Sequence, residues 1–207
     1  QTEEELWFRR NKGYRLTTFA EALEQVYANR PYMLAYMRGL LVTQVFWSNH
    51  TRSIRFYEDR FISSLDPDTD LLEIAPGHGL LVARANEAVE DGRVTGWDIS
   101  EASLEDTRAA LKALGVTKSS AVKARNLFDK GEEKFGAIVF SEVLEHLETP
   151  KDAMTSIRGF LKPGGRLYVN VPVNSPAPDH LFLLRSPEEA VSFLEECGFK
   201  VLETGFY

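Results

Sequence analysis

The chain has 207 residues, of which 43% are hydrophobic and 27% charged, and its formal net charge is −7. This is the composition of an ordinary globular protein with one sizeable core and a short extension. The acidic balance argues against a nucleic-acid partner, which usually meets a basic face. No apolar run approaches the roughly 20 residues of a membrane span, and no secretory leader is evident. The single cysteine, Cys197, excludes an internal disulfide framework, and we expect a cytoplasmic protein without a membrane partner.

Helical spacing of apolar residues dominates the first 65 residues. It recurs over residues 18–29 and 52–65, and Pro31 opens a very apolar stretch that ends at Trp47. We therefore predict an N-terminal helical cover over residues 1–65. Its aromatic and methionine side chains are expected to form core or homo-oligomer contacts, or to line a pocket for an apolar ligand. These side chains are Tyr32, Met33, Tyr36, Met37, Phe46 and Trp47.

From Asp66 onward, strands alternate with helices. The predicted strands cover residues 70–75, 93–98, 121–124, 137–140, 166–171 and 200–204. The predicted helices cover residues 80–88, 100–114, 153–161 and 186–197. Such alternation predicts an α/β fold over residues 66–207, with a doubly wound, mostly parallel sheet and helices on both faces.

The loop after the first predicted strand reads EIAPGHG. In a doubly wound sheet, ligands bind beyond the carboxyl ends of the strands. The small residues Ala75, Gly77 and Gly79 let the backbone approach a ligand and turn sharply into a helix. Glu73 at the strand end is placed to meet a cationic amine, and the His78 imidazole is expected to face the same ligand.

Polar residues also follow the next predicted strands. Asp98 ends the second strand, where a carboxylate can accept hydrogen bonds from both hydroxyls of a ribose. Ile99 follows it and is expected to cover one face of a base. After the third strand, the Asn126 amide and the Leu127 backbone N–H are expected to meet the edge of that base. Ser141, at the end of the fourth strand, completes the predicted cofactor-binding set.

Six segments resemble the successive motifs of class I S-adenosylmethionine-dependent methyltransferases, in that family's order, over residues 71–206. They are EIAPGHG, GWDIS, NLFD, FGAIVFSEVLEHL, LKPGGRLYVNVP and FLEECGFKV. The resemblance implies a Rossmann-like fold and S-adenosylmethionine as the cofactor, held by the loop residues named above. A nicotinamide-binding domain is the nearest rival, but its G-x-G-x-x-G spacing does not match this loop. The family closes its sheet with a final antiparallel strand, which is not evident before Tyr207.

A cluster of titratable residues follows the fourth strand. Glu142, Glu145 and His146 have the spacing i, i+3, i+4, which predicts one face of a helical turn. Two carboxylates and an imidazole on one face favour a cation, and mixed oxygen and nitrogen ligands suit Mg, Mn, Fe, Co or Zn. His180, after the fifth strand, offers a fourth ligand. The element resembles those of ubiquinone-type catechol O-methyltransferases and small-RNA 3′-terminal 2′-O-methyltransferases; in the latter, the matching residues bind a divalent metal.

A metal-free site is the other interpretation of the same residues. An LEH segment after the fourth strand is frequent in metal-free class I methyltransferases, where the Glu and His make structural hydrogen bonds. In that case His146 or His180 is the general base, because an imidazole titrates near the working pH. The predicted catalytic residues are His146, His180 and Glu142. His50 is expected to be a cap or a surface residue.

The leading expectation for function is methylation of a hydroxyl on a small, partly apolar molecule, in secondary metabolism. N- or C-methylation of a similar molecule is an alternative that the sequence barely separates. RNA 2′-O-methylation shares the metal-like element, but the acidic balance argues against it. A non-catalytic, S-adenosylmethionine-binding subunit that regulates or scaffolds a partner is the alternative outside enzyme chemistry.

Overall fold

A computed structural model of the chain describes residues 2–27, 39 and 42–207. The chain divides into two compact units, each discontinuous in sequence. One, called here the sheet unit, comprises the described residues within 39–141 together with 156–170 and Tyr207. The other, called the helical unit, comprises the described residues up to 27 together with 142–155 and 171–206. The division of the chain at residue 65 stays a prediction about its domains.

The sheet unit is built on five parallel strands in the order β3-β2-β1-β4-β5. They are β1 Leu71–Ile74, β2 Val94–Asp98, β3 Ser120–Ala124, β4 Phe135–Ser141 and β5 Leu161–Asn170. The central strand β1 is buried along its whole length, as expected for a parallel strand with a continuous apolar run. The strand order reverses between β1 and β4, so the loops after these two strands lie where such sheets bind ligands. The predicted α/β class is confirmed.

The helices occupy most of the positions that the sequence predicts. They are α1 Thr2–Asn11, α2 Phe19–Ala22, α3 Ser48–Phe56, α4 Leu80–Ala88, α5 Glu101–Ala113, α6 Pro150–Phe160 and α7 Pro187–Glu196. After α2 comes a π-helical turn, Leu23–Tyr27, and after α3 a π-helical turn, Tyr57–Phe61, and a 3₁₀ turn, Ile62–Ser64. Most of the predicted helix over 31–47 lies outside the described residues, although residues 42–46 are helical. Among the described residues, none of these helices is long and apolar enough to cross a bilayer.

Within the sheet unit, aromatic residues of the segment that follows α3 pack against strand β5. Tyr57 is fully buried, and its ring lies 5.0 Å from that of Tyr168 on β5 and 5.7 Å from that of Phe61. Its hydroxyl donates a hydrogen bond of 3.2 Å to the carbonyl of Leu81 at the start of α4. Because both the ring and its polar tip find partners, this tyrosine joins the N-terminal part of the unit to the strand region.

Within the helical unit, the N-terminal segment packs against the loops that follow β4 and β5. Leu16, Ala22 and Val26 form a small apolar cluster with Leu181. The backbone N–H of Phe19 also donates to the carboxylate of Glu148. The segment is therefore held by apolar contacts and by a charge-assisted hydrogen bond. Hydrogen bonds to a charged group are commonly stronger than those between neutral groups.

The predicted strand over residues 200–204 is wrong. These residues form no strand, and none of the five strands pairs with them. A strand depends on a neighbour that takes up its backbone N–H and C=O groups, so an alternating sequence alone does not make one. By contrast, β5 begins at Leu161, earlier than predicted, because Leu161 already pairs with Phe135. A register shift follows, after which Arg166 pairs with Ala137.

Candidate active site

The loop after β1 turns through three residues with left-handed backbone. The φ angles of Ala75, Gly77 and Gly79 are 53°, 49° and 71°. Glycine adopts such angles readily, whereas the β-carbon of alanine disfavours them. The loop is anchored at both sides, since the Ala75 N–H donates to the Trp97 carbonyl at 2.7 Å and the Thr107 hydroxyl donates to the Gly77 carbonyl at 2.7 Å.

Glu73 lies on β1 immediately before this loop and is 4% exposed. Its Oε2 atom is buried and has no hydrogen-bond partner among the residues that the structure describes. Burial raises the pKa of this carboxyl well above its ordinary value. A buried acid without a partner is costly unless it is protonated or meets a positive group, so the position suits a cationic amine.

The His78 imidazole caps the start of α4. Its Nδ1 atom lies 3.2 Å from the backbone nitrogen of Leu80. Because a backbone N–H can only donate, Nδ1 is the acceptor, and the neutral ring carries its proton on Nε2. Burial, followed by the nearby charge of His50, lowers the pKa of His78. The ring is therefore a neutral donor, and its predicted contact with a cofactor stays a prediction.

The second predicted acid, Asp98, stabilises the start of α5. One carboxylate oxygen accepts the Ser100 N–H at 2.8 Å, and the other accepts the Ser103 hydroxyl at 2.8 Å. Each oxygen keeps a further lone pair, so the carboxylate can still accept from ribose hydroxyls. Ile99 beside it is 62% exposed, which leaves its side chain available for a planar ring.

The remaining predicted contacts in the sheet unit lie after β3 and β4. The Asn126 side-chain oxygen accepts the Phe128 N–H at 3.0 Å, so the oxygen expected to meet the base also closes a turn. The Leu127 side chain is buried. Ser141 is paired with Asn170 at the ends of β4 and β5, and its hydroxyl accepts from the Asn170 amide at 3.3 Å.

The helical unit brings together three of the four predicted metal ligands. One ligand atom from each of Glu145, His146 and His180 lies within 4.8 Å of the others. The two loops are joined by their backbone, because the N–H groups of Leu181 and Phe182 donate to the Glu145 carbonyl at 2.7 and 2.9 Å. We refer to Glu145, His146 and His180 as the His–Glu cluster.

Hydrogen bonds to carbonyl oxygens fix the protonation of both histidines. The Nδ1 atom of His146 lies 3.1 Å from the Asp179 carbonyl, and that of His180 lies 2.8 Å from the Ser175 carbonyl. A carbonyl oxygen only accepts, so each ring donates from Nδ1 and its neutral form has an unprotonated Nε2. Burial, then the proximity of His146, lowers the pKa of His180 to about 4. Metal-binding histidines are oriented in this way.

Glu145 supplies the negative charge of the cluster. The residue is 1% exposed, and neither carboxylate oxygen has a hydrogen-bond partner among the described residues. Its Oε1 atom lies 3.7 Å from Nε2 of His146. Burial, then the charge of Glu142, raises its pKa well above the ordinary value. A buried carboxylate without a hydrogen-bond partner, close to one ligand nitrogen from each of two histidines, fits a divalent cation.

The predicted helical face shared by Glu142, Glu145 and His146 is wrong. The only helical turn here is the 3₁₀ turn Leu144–His146, and Glu142 precedes it with a φ of 54°. A spacing of i, i+3, i+4 aligns side chains only within a continuous helix, which the left-handed residue interrupts. Although Glu142 has exposed surface, the surrounding protein buries its carboxyl group, and this burial raises the pKa of Glu142 to about 7. A non-glycine residue held at such an angle is typical of functional sites.

Three further residues belong to these sites although the sequence analysis did not single them out. Thr107 ties α5 to the glycine loop, and Asp179 orients His146. Tyr14 places its ring 5.3 Å from that of His180. Asp179 could have been found as the acidic neighbour of a candidate histidine, whereas Thr107 and Tyr14 carry no local signal.

Comparison with known proteins agrees with this geometry. Residues 72–167 match a family described as a methyltransferase domain. This part of the chain is therefore similar to a methyltransferase domain. Over 127 residues, the chain is 30% identical to the ubiquinone biosynthesis O-methyltransferase of Alkalilimnicola ehrlichii, covering 60% of this chain and 49% of that protein. The corresponding protein of Dechloromonas aromatica is 27% identical over 125 residues, covering 60% and 53%. The chain spans about half the length of these relatives.

Solved structures share the fold of this chain. The complex of DhpI with S-adenosylhomocysteine superposes with a TM-score of 0.58 at 20% identity, covering 79% of this chain and 84% of that one. The SpnF cyclase superposes with a TM-score of 0.62 at 21% identity, covering 73% and 57%. At these identities the likeness establishes the Rossmann-like fold and nothing more specific.

Proposed function

We propose that this protein moves a methyl group from S-adenosylmethionine to a hydroxyl of a small, partly apolar acceptor, with the help of a divalent cation. The observation that carries the proposal is the His–Glu cluster, in which one ligand nitrogen from each of two histidines lies within 4.8 Å of a buried carboxylate that has no hydrogen-bond partner among the described residues. The partial relatives named ubiquinone biosynthesis O-methyltransferases support a hydroxyl acceptor.

The loop after β1 is proposed to hold the cofactor. S-adenosylmethionine supplies the methyl group on a sulfonium sulfur. Glu73 offers an unpartnered carboxylate oxygen to the cofactor's amino group, and the left-handed Gly77 and Gly79 keep the backbone free of side chains there. The Asp98 carboxylate would accept from the ribose hydroxyls, with Ile99 against the adenine.

Glu145, His146 and His180 are proposed to hold the cation. A divalent ion bound there would lower the pKa of a coordinated acceptor hydroxyl. The carbonyl groups of Asp179 and Ser175 keep both histidine rings oriented for this role. Because the cation would occupy the two Nε2 atoms, neither histidine is then available as the base.

Glu142 is proposed to accept the proton that the acceptor hydroxyl loses. Its pKa of about 7 lies near the working pH, where a general base is most effective. In this proposal the His–Glu cluster binds the cation, and Glu142 removes the proton from the acceptor hydroxyl.

The test combines metal analysis with an assay of S-adenosylhomocysteine release. The protein is purified without chelator, and catechol, phenol and aniline are offered as acceptors with and without excess chelator. We expect release with catechol, loss of release on chelation, and recovery with one divalent ion. Glu145→Gln should lose the metal, whereas His50→Gln, which alters a histidine outside the cluster, should keep it. Full activity in chelator would contradict the cation, and methylation of aniline alone would contradict the hydroxyl acceptor.

A further inference from the structure

The phenol ring of Tyr14, in the N-terminal segment, lies beside the His–Glu cluster. Aromatic contacts link it to the cluster: its ring lies 5.3 Å from that of His180, which lies 5.1 Å from that of His146, both edge to face. On its other side, the ring lies 5.6 Å from that of Phe8. These rings form one aromatic surface beside the candidate metal ligands.

The Tyr14 hydroxyl is buried and has no hydrogen-bond partner among the residues that the structure describes. Leaving a buried hydroxyl unpaired costs about 1–3 kcal/mol, and phenylalanine would fill the same space without that cost. Buried tyrosine hydroxyls usually find a partner. The exception therefore calls for a partner that arrives from outside the chain.

Glu145 identifies the chemistry of that partner. The Tyr14 phenol is an O–H donor at neutral pH, and its ring lies against His180, whose ligand atom lies within 4.8 Å of one on Glu145. The Tyr14 hydroxyl and the Glu145 carboxylate do not hydrogen bond to each other. A group that accepts from the phenol and is also drawn to a cation held by Glu145 is an oxygen atom carrying negative or partial negative charge.

We propose that the Tyr14 hydroxyl donates a hydrogen bond to the acceptor's oxygen when the acceptor binds at the His–Glu cluster, and that it selects phenolic acceptors. This inference rests on the proposed function, and it adds the substrate class and a specificity residue. The phenol would position the acceptor oxygen, while the rings of Phe8 and His180 offer apolar edges to an aromatic acceptor. Tyr14 forms no covalent bond and transfers no proton in this role.

The experiment measures acceptor binding directly, apart from turnover. Catechol is titrated by calorimetry into protein loaded with S-adenosylhomocysteine and the divalent ion, using wild type, Tyr14→Phe and Tyr168→Phe. Tyr14→Phe should weaken catechol binding about tenfold, the effect of one hydrogen bond. It should leave S-adenosylhomocysteine and metal affinity unchanged. In the assay, KM for catechol should rise by a similar factor while kcat changes little.

Thermal unfolding distinguishes this role from a structural one. Tyr14→Phe should keep or raise the unfolding midpoint, because it removes an unpaired buried hydroxyl. Tyr168→Phe should lower the midpoint without altering catechol binding, because the Tyr168 hydroxyl contacts Ser53 at 3.1 Å. Unchanged catechol affinity in Tyr14→Phe, or no catechol binding by wild type, overturns the inference. Catechol binding without S-adenosylhomocysteine release in the assay overturns the proposed function alone.

Discussion

Ala75 is the one residue among the three left-handed positions of the glycine loop that has a β-carbon. Left-handed backbone costs an L-residue about 1–2 kcal/mol. Glycine avoids this cost, but it loses more conformational entropy on folding, so the net gain from glycine is smaller. We expect Ala75→Gly to raise the free energy of unfolding by about 1 kcal/mol. Ala109→Gly, at an exposed position of α5, should lower it by about 1 kcal/mol. Urea denaturation measures both, and equal signs would show that Ala75 is unstrained.

Asp98 has two duties that substitution can separate. Asp98→Asn removes the charge expected to bind the ribose, and should weaken S-adenosylhomocysteine binding by about 1.5–3 kcal/mol. Ser103→Ala removes only the hydroxyl that donates to Asp98 from α5. It should leave cofactor affinity nearly unchanged. Calorimetry measures S-adenosylhomocysteine affinity in both variants. Equal losses of affinity would mean that the Asp98 carboxylate acts only by stabilising the start of α5.

At the level of elements, Thr107 connects α5 to the glycine loop. The residue is fully buried, and its hydroxyl lies 2.7 Å from the Gly77 carbonyl and 2.9 Å from the Ser103 carbonyl. Thr107→Val keeps the shape and removes the donor, so we expect a loss of about 1 kcal/mol in stability together with weaker S-adenosylhomocysteine binding. Thr155→Val is the matched control, because the Thr155 hydroxyl contacts only the carbonyl of Lys151 in its own helix. Intact cofactor affinity in Thr107→Val would show that the loop needs no such anchor.

The elements show which parts of the fold can be predicted from sequence. Alternating strands and helices predicted the mostly parallel sheet because periodicity and turn residues are local properties. The predicted strand over residues 200–204 is wrong because a strand also needs a neighbouring strand to pair with, and no local pattern reveals one. The predicted helical face with Glu142 is wrong for a related reason. A single residue with left-handed backbone interrupts a helix whose spacing looks continuous in the sequence. Tyr14 was missed because its contact with His180 joins distant parts of the chain without a motif.

At the scale of the whole molecule, the titratable groups whose pKa the fold shifts set how stability depends on pH. The pKa of Glu142 is raised to about 7 and that of Glu145 is also raised, so the folded protein holds protons that the unfolded chain has lost. Stability therefore falls as pH rises from the ordinary carboxyl pKa through about 7. The pKa of His180 is lowered to about 4 from 6.5, and within that window it acts in the opposite direction. Above pH 6.5 only the carboxyls act.

We therefore expect the chelated protein to lose stability between pH 6.5 and about 8. Glu142→Gln should flatten this decline, because it removes one of the raised carboxyls. Glu105→Gln, on the exposed side of α5, should leave the decline in place. Urea midpoints measured across this range test the prediction, and a midpoint that rises with pH in the wild type would contradict it.

The carbonyl partners of His146 and His180 have a spectroscopic consequence. Neutral imidazole in water mostly carries its proton on Nε2, and the Leu80 N–H imposes that form on His78. Asp179 and Ser175 impose the opposite tautomer on His146 and His180. These three rings should therefore display both forms at once in the nitrogen-15 spectrum, His146 and His180 with protonated Nδ1 and His78 with protonated Nε2. A diamagnetic ion such as zinc should shift only the Nε2 resonances of the first two rings, so the spectrum would identify the ligand atoms without any assay of methyl transfer.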